Sequence, residues 1–150
     1  MDESRLIEFP IMCQGLQIIV VTHEAPHGDE IFAATLVERY GSLEFLEKHA
    51  KDDKILLGVG GGEFDEHPSV KDGTPRKEDD CCASLVAKAL GVDGEPNVRS
   101  AIKYVFRADQ GHDVDFGICS VIKALHQQNL DDPQVARRWA RLGFMAKLDD

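Results

Sequence analysis

Apolar side chains fall into short runs separated by polar and glycine-rich breaks, and the period within each run predicts its element. Leu16-Gln17-Ile18-Ile19-Val20-Val21-Thr22 is rich in β-branched residues and predicts a buried parallel strand. From Asp29 to Tyr40, Ile31, Phe32, Leu36, Val37 and Tyr40 recur at helical spacing, and Gly41 marks the stop. Strand, tight turn and helix in that order predict the start of a βαβ unit. Residues 43–49 are ambiguous by period, but Ser42 as a cap and Glu44 in the first turn would make them a short helix. Residues 1–15 carry weak signals and read as a lead-in segment.

Lys54-Ile55-Leu56-Leu57-Gly58-Val59 predicts a second strand, ending in Gly60-Gly61-Gly62. Residues 68–80 are polar, contain Pro68, Gly73 and Pro75, and read as a surface loop. Cys82, Leu85, Val86, Ala89 and Leu90 then mark one helix face, closed by Gly91. Asn97 reads as the cap of a helix through Val98, Ile102, Val105 and Phe106. Another spans about residues 113–128, with Val114, Ile118, Val121, Ile122 and Leu125 inward. Asp132-Pro133 opens the last, which runs through Val135, Trp139 and Leu142. No internal repeat and no second domain stand out. The pattern predicts a single α/β domain over residues 1–150, with a small, mainly parallel sheet flanked by helices and a helical C-terminal part.

Charge narrows the function classes. Seventeen Lys and Arg against 27 Asp and Glu leave a net charge of −10, which repels phosphate backbones and anionic lipid. Long nucleic acid and membrane surfaces are therefore poor partners, although divalent cations could reverse the sign locally. No apolar stretch reaches the roughly 18 to 20 residues of a membrane span, and residues 1–5 lack the cationic start and apolar run of a secretory leader. The four cysteines (Cys13, Cys81, Cys82 and Cys119) include no CxxC pair, and the adjacent two fit a disulfide framework badly. A cytoplasmic protein with reduced thiols is expected.

The chemistry concentrates in Thr22-His23-Glu24-Ala25-Pro26-His27-Gly28-Asp29-Glu30, where the first strand gives way to the first helix. Ligands of open α/β sheets bind at the carboxyl ends of strands, and imidazole with carboxylate suits a divalent cation. Glu63-Phe64-Asp65-Glu66-His67 follows the second strand, and Asp109-Gln110-Gly111-His112-Asp113 joins two helices. His23-Glu24-Ala25-Pro26-His27 also spells the HExxH string of zinc proteases. That string requires a helix, and Pro26 would sit in its interior at a cost of about 3 kcal/mol. Gly58-Val59-Gly60 is no dinucleotide fingerprint, since Glu63 stands where a third glycine belongs. The remaining charged residues read more simply. His49 and His126 look like surface residues, His112 and Asp113 like a cap, Lys71, Arg76 and Lys77 like solvated charges, and Cys81 and Cys82 like small packing residues.

Thr22-His23, Pro26 and Gly28-Asp29 together resemble the first motif of the DHH phosphoesterase superfamily, written H-x-x-P-D-G-D. That superfamily includes exonucleases, oligoribonucleases and manganese inorganic pyrophosphatases. The sequence is especially similar to the melanocyte-proliferating-gene family within it, over the N-terminal domain only. Those relatives carry a second histidine in the first motif, continue with Asp-Glu, and hold a V-G-G-E-[YF]-D string; Thr22 to Glu30 and Val59 to Asp65 compare with these. Phe64-Asp65-Glu66-His67 resembles the signature Asp-His-His, and Arg107-Ala108-Asp109-Gln110-Gly111 the later segment with a metal-binding Asp.

The resemblance implies a two-cation site, typically Mn²⁺ with Mg²⁺ or another divalent ion as substitutes, hydrolysing a small phosphoester, phosphoanhydride or short oligonucleotide. His23 and His27 would hold one ion and Asp29 the other, with Asp65, Glu66, His67 and Asp109 completing the second site. His67 and Asp109 would be catalytic. The chain departs from the pattern in four places. Gly58 stands where the family has a bridging aspartate, Glu66 replaces a histidine, two helices ending at Asp150 stand where a substrate-binding domain is usual, and the link from the second strand to Phe64 is unusually short. Gly58→Asp should therefore tighten the second ion, provided position 58 does not need positive φ. The alternative implied by these departures is a catalytically degenerate metal-binding or regulatory module. Assembly into a homo-oligomer is left open.

Overall fold

A chain that leaves one strand through a two-residue turn with both φ positive must fold back beside it, and this one does so at once. The computed structural model describes residues 5–67, 79–112 and 114–150. Strand β1 (Leu6–Cys13) pairs antiparallel with β2 (Leu16–His23) in continuous register from Leu6↔His23 to Cys13↔Leu16. Gln14 and Gly15, at φ 54° and 76°, connect them; two such residues fit a type I′ turn, whose twist matches that of the strands. β3 (Lys54–Leu56) lies parallel on the other side of β2, through Ile19↔Lys54, Val20↔Ile55 and Val21↔Leu56.

Two expectations change here. The segment read as a lead-in contains a strand, because Phe9, Ile11 and Cys13 face the core while their neighbours face solvent. This period-two pattern lacks the continuous apolar run of a doubly buried strand. The sheet of the described residues is consequently mixed, with more antiparallel than parallel pairing. The second predicted strand is also shorter than residues 54–59, since the chain turns at Gly58 with φ 73°.

Helix α1 (Gly28–Tyr40) is the hub. Every residue from Gly28 to Val37 is buried, and the helix packs against β1, α3 (Cys82–Leu90), α4 (Pro96–Asp109), α5 (Ile118–Gln128) and α6 (Gln134–Leu148). A helix buried on all sides needs no amphipathic stripe. Helix α2 (Leu43–His49) forms with Ser42 Oγ accepting the Phe45 N–H at 3.0 Å, the cap its sequence offers. Gly91 ends α3 in the left-handed conformation.

The C-terminal helices exist as expected, with shifted edges and faces. Pro96 opens α4 at a position where a missing N–H loses no hydrogen bond. Asn97 is thus inside that helix, and its amide reaches the carbonyls of Leu148 and Asp150 at 3.5 and 3.1 Å. α5 starts at Ile118, not near residue 113, behind Phe116 at φ 63°; Asp113 itself lies outside the described residues, as do Lys71, Arg76, Lys77 and most of the expected loop at 68–80. α6 starts at Gln134 with Pro133 as its N-cap, one residue later than Asp132-Pro133 predicts, and Asp132 Oδ1 accepts the Gln134 N–H at 3.1 Å. The buried stripe of α6 is Ala136, Ala140, Phe144 and Leu148, whereas Leu142 is 66% and Trp139 40% exposed. The alanines allow close approach of backbones, and the Phe144 ring meets Phe32 of α1 at 4.9 Å. Among the described residues, no helix is long and apolar enough to cross a membrane.

Gly28 shows how closely α5 approaches α1. A Cβ on Gly28 would fall 2.5 Å from Cys119 Sγ. Gly28→Ala should therefore destabilise the fold by about 1 to 3 kcal/mol, measured by urea denaturation. Cys119→Ala in the same chain should recover part of that loss; an unchanged midpoint for Gly28→Ala would show that the contact is soft.

Candidate metal centre

Parallel pairing of β2 and β3 brings their carboxyl ends to one edge of the sheet. β2 ends at His23, and the chain turns through Pro26 to His27, which is extended (φ −85°, ψ 173°) and precedes the first turn of α1. Pro26 is outside any helix, so His23 and His27 do not share a helical face and the zinc-protease string is a coincidence of letters. His126 of α5 braces this turn through Nε2 to the Pro26 carbonyl at 2.8 Å. On the neighbouring strand, the turn at Gly58 is closed by its N–H on the Phe64 carbonyl at 3.0 Å, which returns Glu66 and His67 to the same edge.

His23, His27, Asp29, Glu66, His67 and Asp109 line one cleft of about 390 Å³. Two of its buried carboxylates meet the start of α3. Asp29 accepts the N–H groups of Cys82 and Ala83 at 3.0 and 2.8 Å, and Glu66 accepts that of Cys82 at 3.0 Å. These are free N–H groups of the first turn of α3, where the helix dipole favours negative charge. Burial nevertheless pushes the Asp29 carboxyl up to about 7, with the Glu66 charge adding to the effect and the α3 N–H groups opposing it. One oxygen each from Asp29, Glu66 and Asp109 lie within 4.8 Å of one another.

Glu66 Oε1 is the unsatisfied atom of this set. It is buried without a hydrogen bond, although it lies 3.1 Å from His67 Nδ1. That nitrogen is already engaged at 2.8 Å by Asp65 Oδ1, so the 3.1 Å approach is proximity rather than a bond. A buried carboxylate oxygen facing a polar cleft fits a divalent cation, and oxygen with imidazole donors suits Mn²⁺, Mg²⁺ or a similar ion. His27 agrees with this. Desolvation lowers its pKa against the opposing charge of Asp109, which favours the neutral ring that a cation needs.

Asp65 sits behind His67. Its Oδ2 accepts the Gly61 N–H at 2.8 Å, and its Oδ1 accepts the His67 backbone N–H at 3.1 Å as well as meeting the ring. Burial raises the Asp65 carboxyl, but these hydrogen bonds and the His67 charge outweigh it and hold the pKa below the usual value. Of the predicted ligands, Asp65 alone among those described orients another side chain instead of lining the cleft.

Glu30 was missed. It is 5% exposed, lines the cleft, and holds Oε1 4.0 Å from His23 Nε2. Burial, then the charge of Asp29, raises its pKa well above the ordinary value. The available signal was a second acid adjoining the apolar run Ile31-Phe32-Ala33-Ala34. Gly58 faces it: at φ 73°, a Cβ there would lie 2.9 Å from Glu30 Cγ. This overturns the expected benefit of Gly58→Asp, because the position needs positive φ and its side-chain space is taken.

Both histidines read as surface residues have structural partners. His126 braces the Pro26 turn, and His49 pairs with Glu63 at 2.8 Å and packs on Phe45 and Phe64. Glu63 is thereby turned away from the cleft. Cys81 and Cys82 are fully buried, and burial together with Asp29 raises both thiol pKa values, which matches packing rather than nucleophilic use. Comparison with protein-family models, curated proteins and solved structures found no significant match to this chain.

The raised Asp29 and Glu30 set a direction for pH dependence. Unfolded carboxyls lose their protons near pH 4, whereas these folded ones keep theirs toward pH 7 in Asp29 and higher than usual in Glu30. The folded state then binds more protons, so stability falls as pH rises through that window. Scanning calorimetry of protein treated with EDTA should show a lower melting temperature at pH 7 than at pH 5. Asp29→Asn should flatten the difference; a wild-type curve rising over that range would contradict the assignment.

Proposed function

We propose that this domain is a divalent-cation-dependent phosphohydrolase, acting in the cytoplasm on a small phosphoester or a short oligonucleotide, with Mn²⁺ as the preferred ion. The reading rests chiefly on one observation: a buried, unsatisfied Glu66 oxygen in a cleft shared with Asp29, Asp109 and three imidazoles. The order of the motifs supports a DHH-like ancestry and a DHH-like fold. Asp29, Glu66 and Asp109 would hold a cation, and His23 and His27 are the cleft's candidate imidazole ligands. When bound, such an ion supplies Lewis acidity toward a phosphoryl oxygen and toward water.

The protein's own groups divide the remaining work. Asp65 fixes the His67 ring through Nδ1 at 2.8 Å, which leaves Nε2 to hand a proton to a departing oxygen. Asp109, at the end of α4 on the cleft wall, serves to align water. Arg5 contributes positive charge at the rim beside Glu24. The net charge of −10 disfavours long nucleic acid, so the substrate is small.

A second reading, a metal-binding or regulatory module without turnover, is favoured by Gly58, which adds no carboxylate between the strands. Thermal melts and hydrolysis of bis-p-nitrophenyl phosphate and of oligonucleotides of two to five nucleotides separate the two. At 100 times Kd, Mn²⁺ should stabilise the fold by about 2.7 kcal/mol, and His23→Ala with Asp29→Ala should abolish most of the shift. His67→Gln should keep the shift and slow hydrolysis by about 10²- to 10⁴-fold. A shift without hydrolysis selects the module, and no shift at all defeats both readings.

A further inference from the structure

Glu30 brings into the cleft a carboxylate that the set Asp29, Glu66 and Asp109 does not require. It opens the same helix turn as Asp29, is 5% exposed, and projects over the backbone of Gly58, whose Cβ position is only 2.9 Å from Glu30 Cγ. A larger residue at 58 would displace it. Its Oε1 stands 4.0 Å from His23 Nε2 at the end of β2. Cation bonds to nitrogen and oxygen of about 2.1 Å allow two ligands of one ion to be up to about 4.2 Å apart, so this pair matches a shared ion. Independently, Glu66 Oε1, on a side chain 2% exposed, is left without a hydrogen bond in the same cleft.

We propose that Glu30 and His23 together hold a second divalent cation, beside the one assigned to Asp29, Glu66 and Asp109, and that Gly58 is glycine because it makes room for Glu30. The inference rests on reading the cleft as a cation site, and it adds Glu30, which lies within the resembling motif but outside the ligand set that the resemblance implies. A carboxylate supplied from α1 would do for the pair of ions what a side chain at position 58 cannot. It offsets the repulsion between two cations held in one low-dielectric cleft.

Mn²⁺ titration of the full chain, by calorimetry with bound ions counted by electron paramagnetic resonance, tests this without any substrate. The wild type should bind two ions. Glu30→Gln and His23→Gln should each weaken the second by at least tenfold while sparing the first, and the double variant should be no worse than either single one, since both remove ligands of the same ion. Glu30→Asp, one methylene shorter with the charge kept, should fall between, and it carries the comparison with His23→Gln if Glu30→Gln does not fold. Two ions bound equally well by wild type and Glu30→Gln, one ion only in the wild type, or additive losses in the double variant would each overturn the proposal and leave the cation reading of the cleft standing. No Mn²⁺ binding by the wild type would overturn both.

Discussion

Two carboxylates from different parts of the chain meet the same helix N-terminus, and the arrangement around them follows from that meeting. The first turn of α3 offers N–H groups that no residue within the helix can satisfy. Asp29 and Glu66 occupy them at 2.8 to 3.0 Å. Without these donors, neither acid would be tolerated at 3% and 1% exposure. With them, α1 can be buried from its first residue and serve as the surface on which four other helices pack. The compensation is incomplete, as the raised Asp29 and the idle Glu66 oxygen show. That incomplete compensation is what supports the proposal of a cation in the cleft.

Much of the local structure was legible in the sequence. β2, α1 and α3 are where their periods put them, because each has a strong pattern and a stop in the right place, whereas α2, ambiguous by period, is where its Ser42 cap puts it. The strand-to-helix turn at Pro26 was legible for the same reason, and it removed a competing motif. β1 was not recognised, although Phe9, Ile11 and Cys13 alternate with outward residues and Gln14-Gly15 suits a hairpin. A half-buried edge strand carries too few consecutive apolar residues to resemble the strands beside it. The face of α6 escaped for a different reason. Packing chose its alanines over Trp139 and Leu142, and only the proximity of α1 and α5 explains that choice.

The site was legible as a list of donors and illegible as an arrangement. Six of the seven expected ligands share the cleft. What spacing could not reveal was direction: Asp65 turns back to hold His67, and Glu30 turns in over Gly58. Both depend on backbone dihedrals in the glycine-rich turn, with Gly58, Gly60 and Gly61 all at positive φ. Nor could any local signal find His126, whose role is fixed by a partner 100 residues away.

That last hydrogen bond bears on how the chain acquires its site. The turn carrying His23 and His27 is made well before α5, which braces it, and Asp29 finds its N–H partners more than 50 residues downstream. Contacts of such long separation close late, since the intervening loop entropy must be overcome first. A nascent chain emerging to α2 would display the first histidines and acids with no helix to receive them. The cleft is therefore a product of completed folding, and any ligand it takes would meet the finished domain rather than the growing chain.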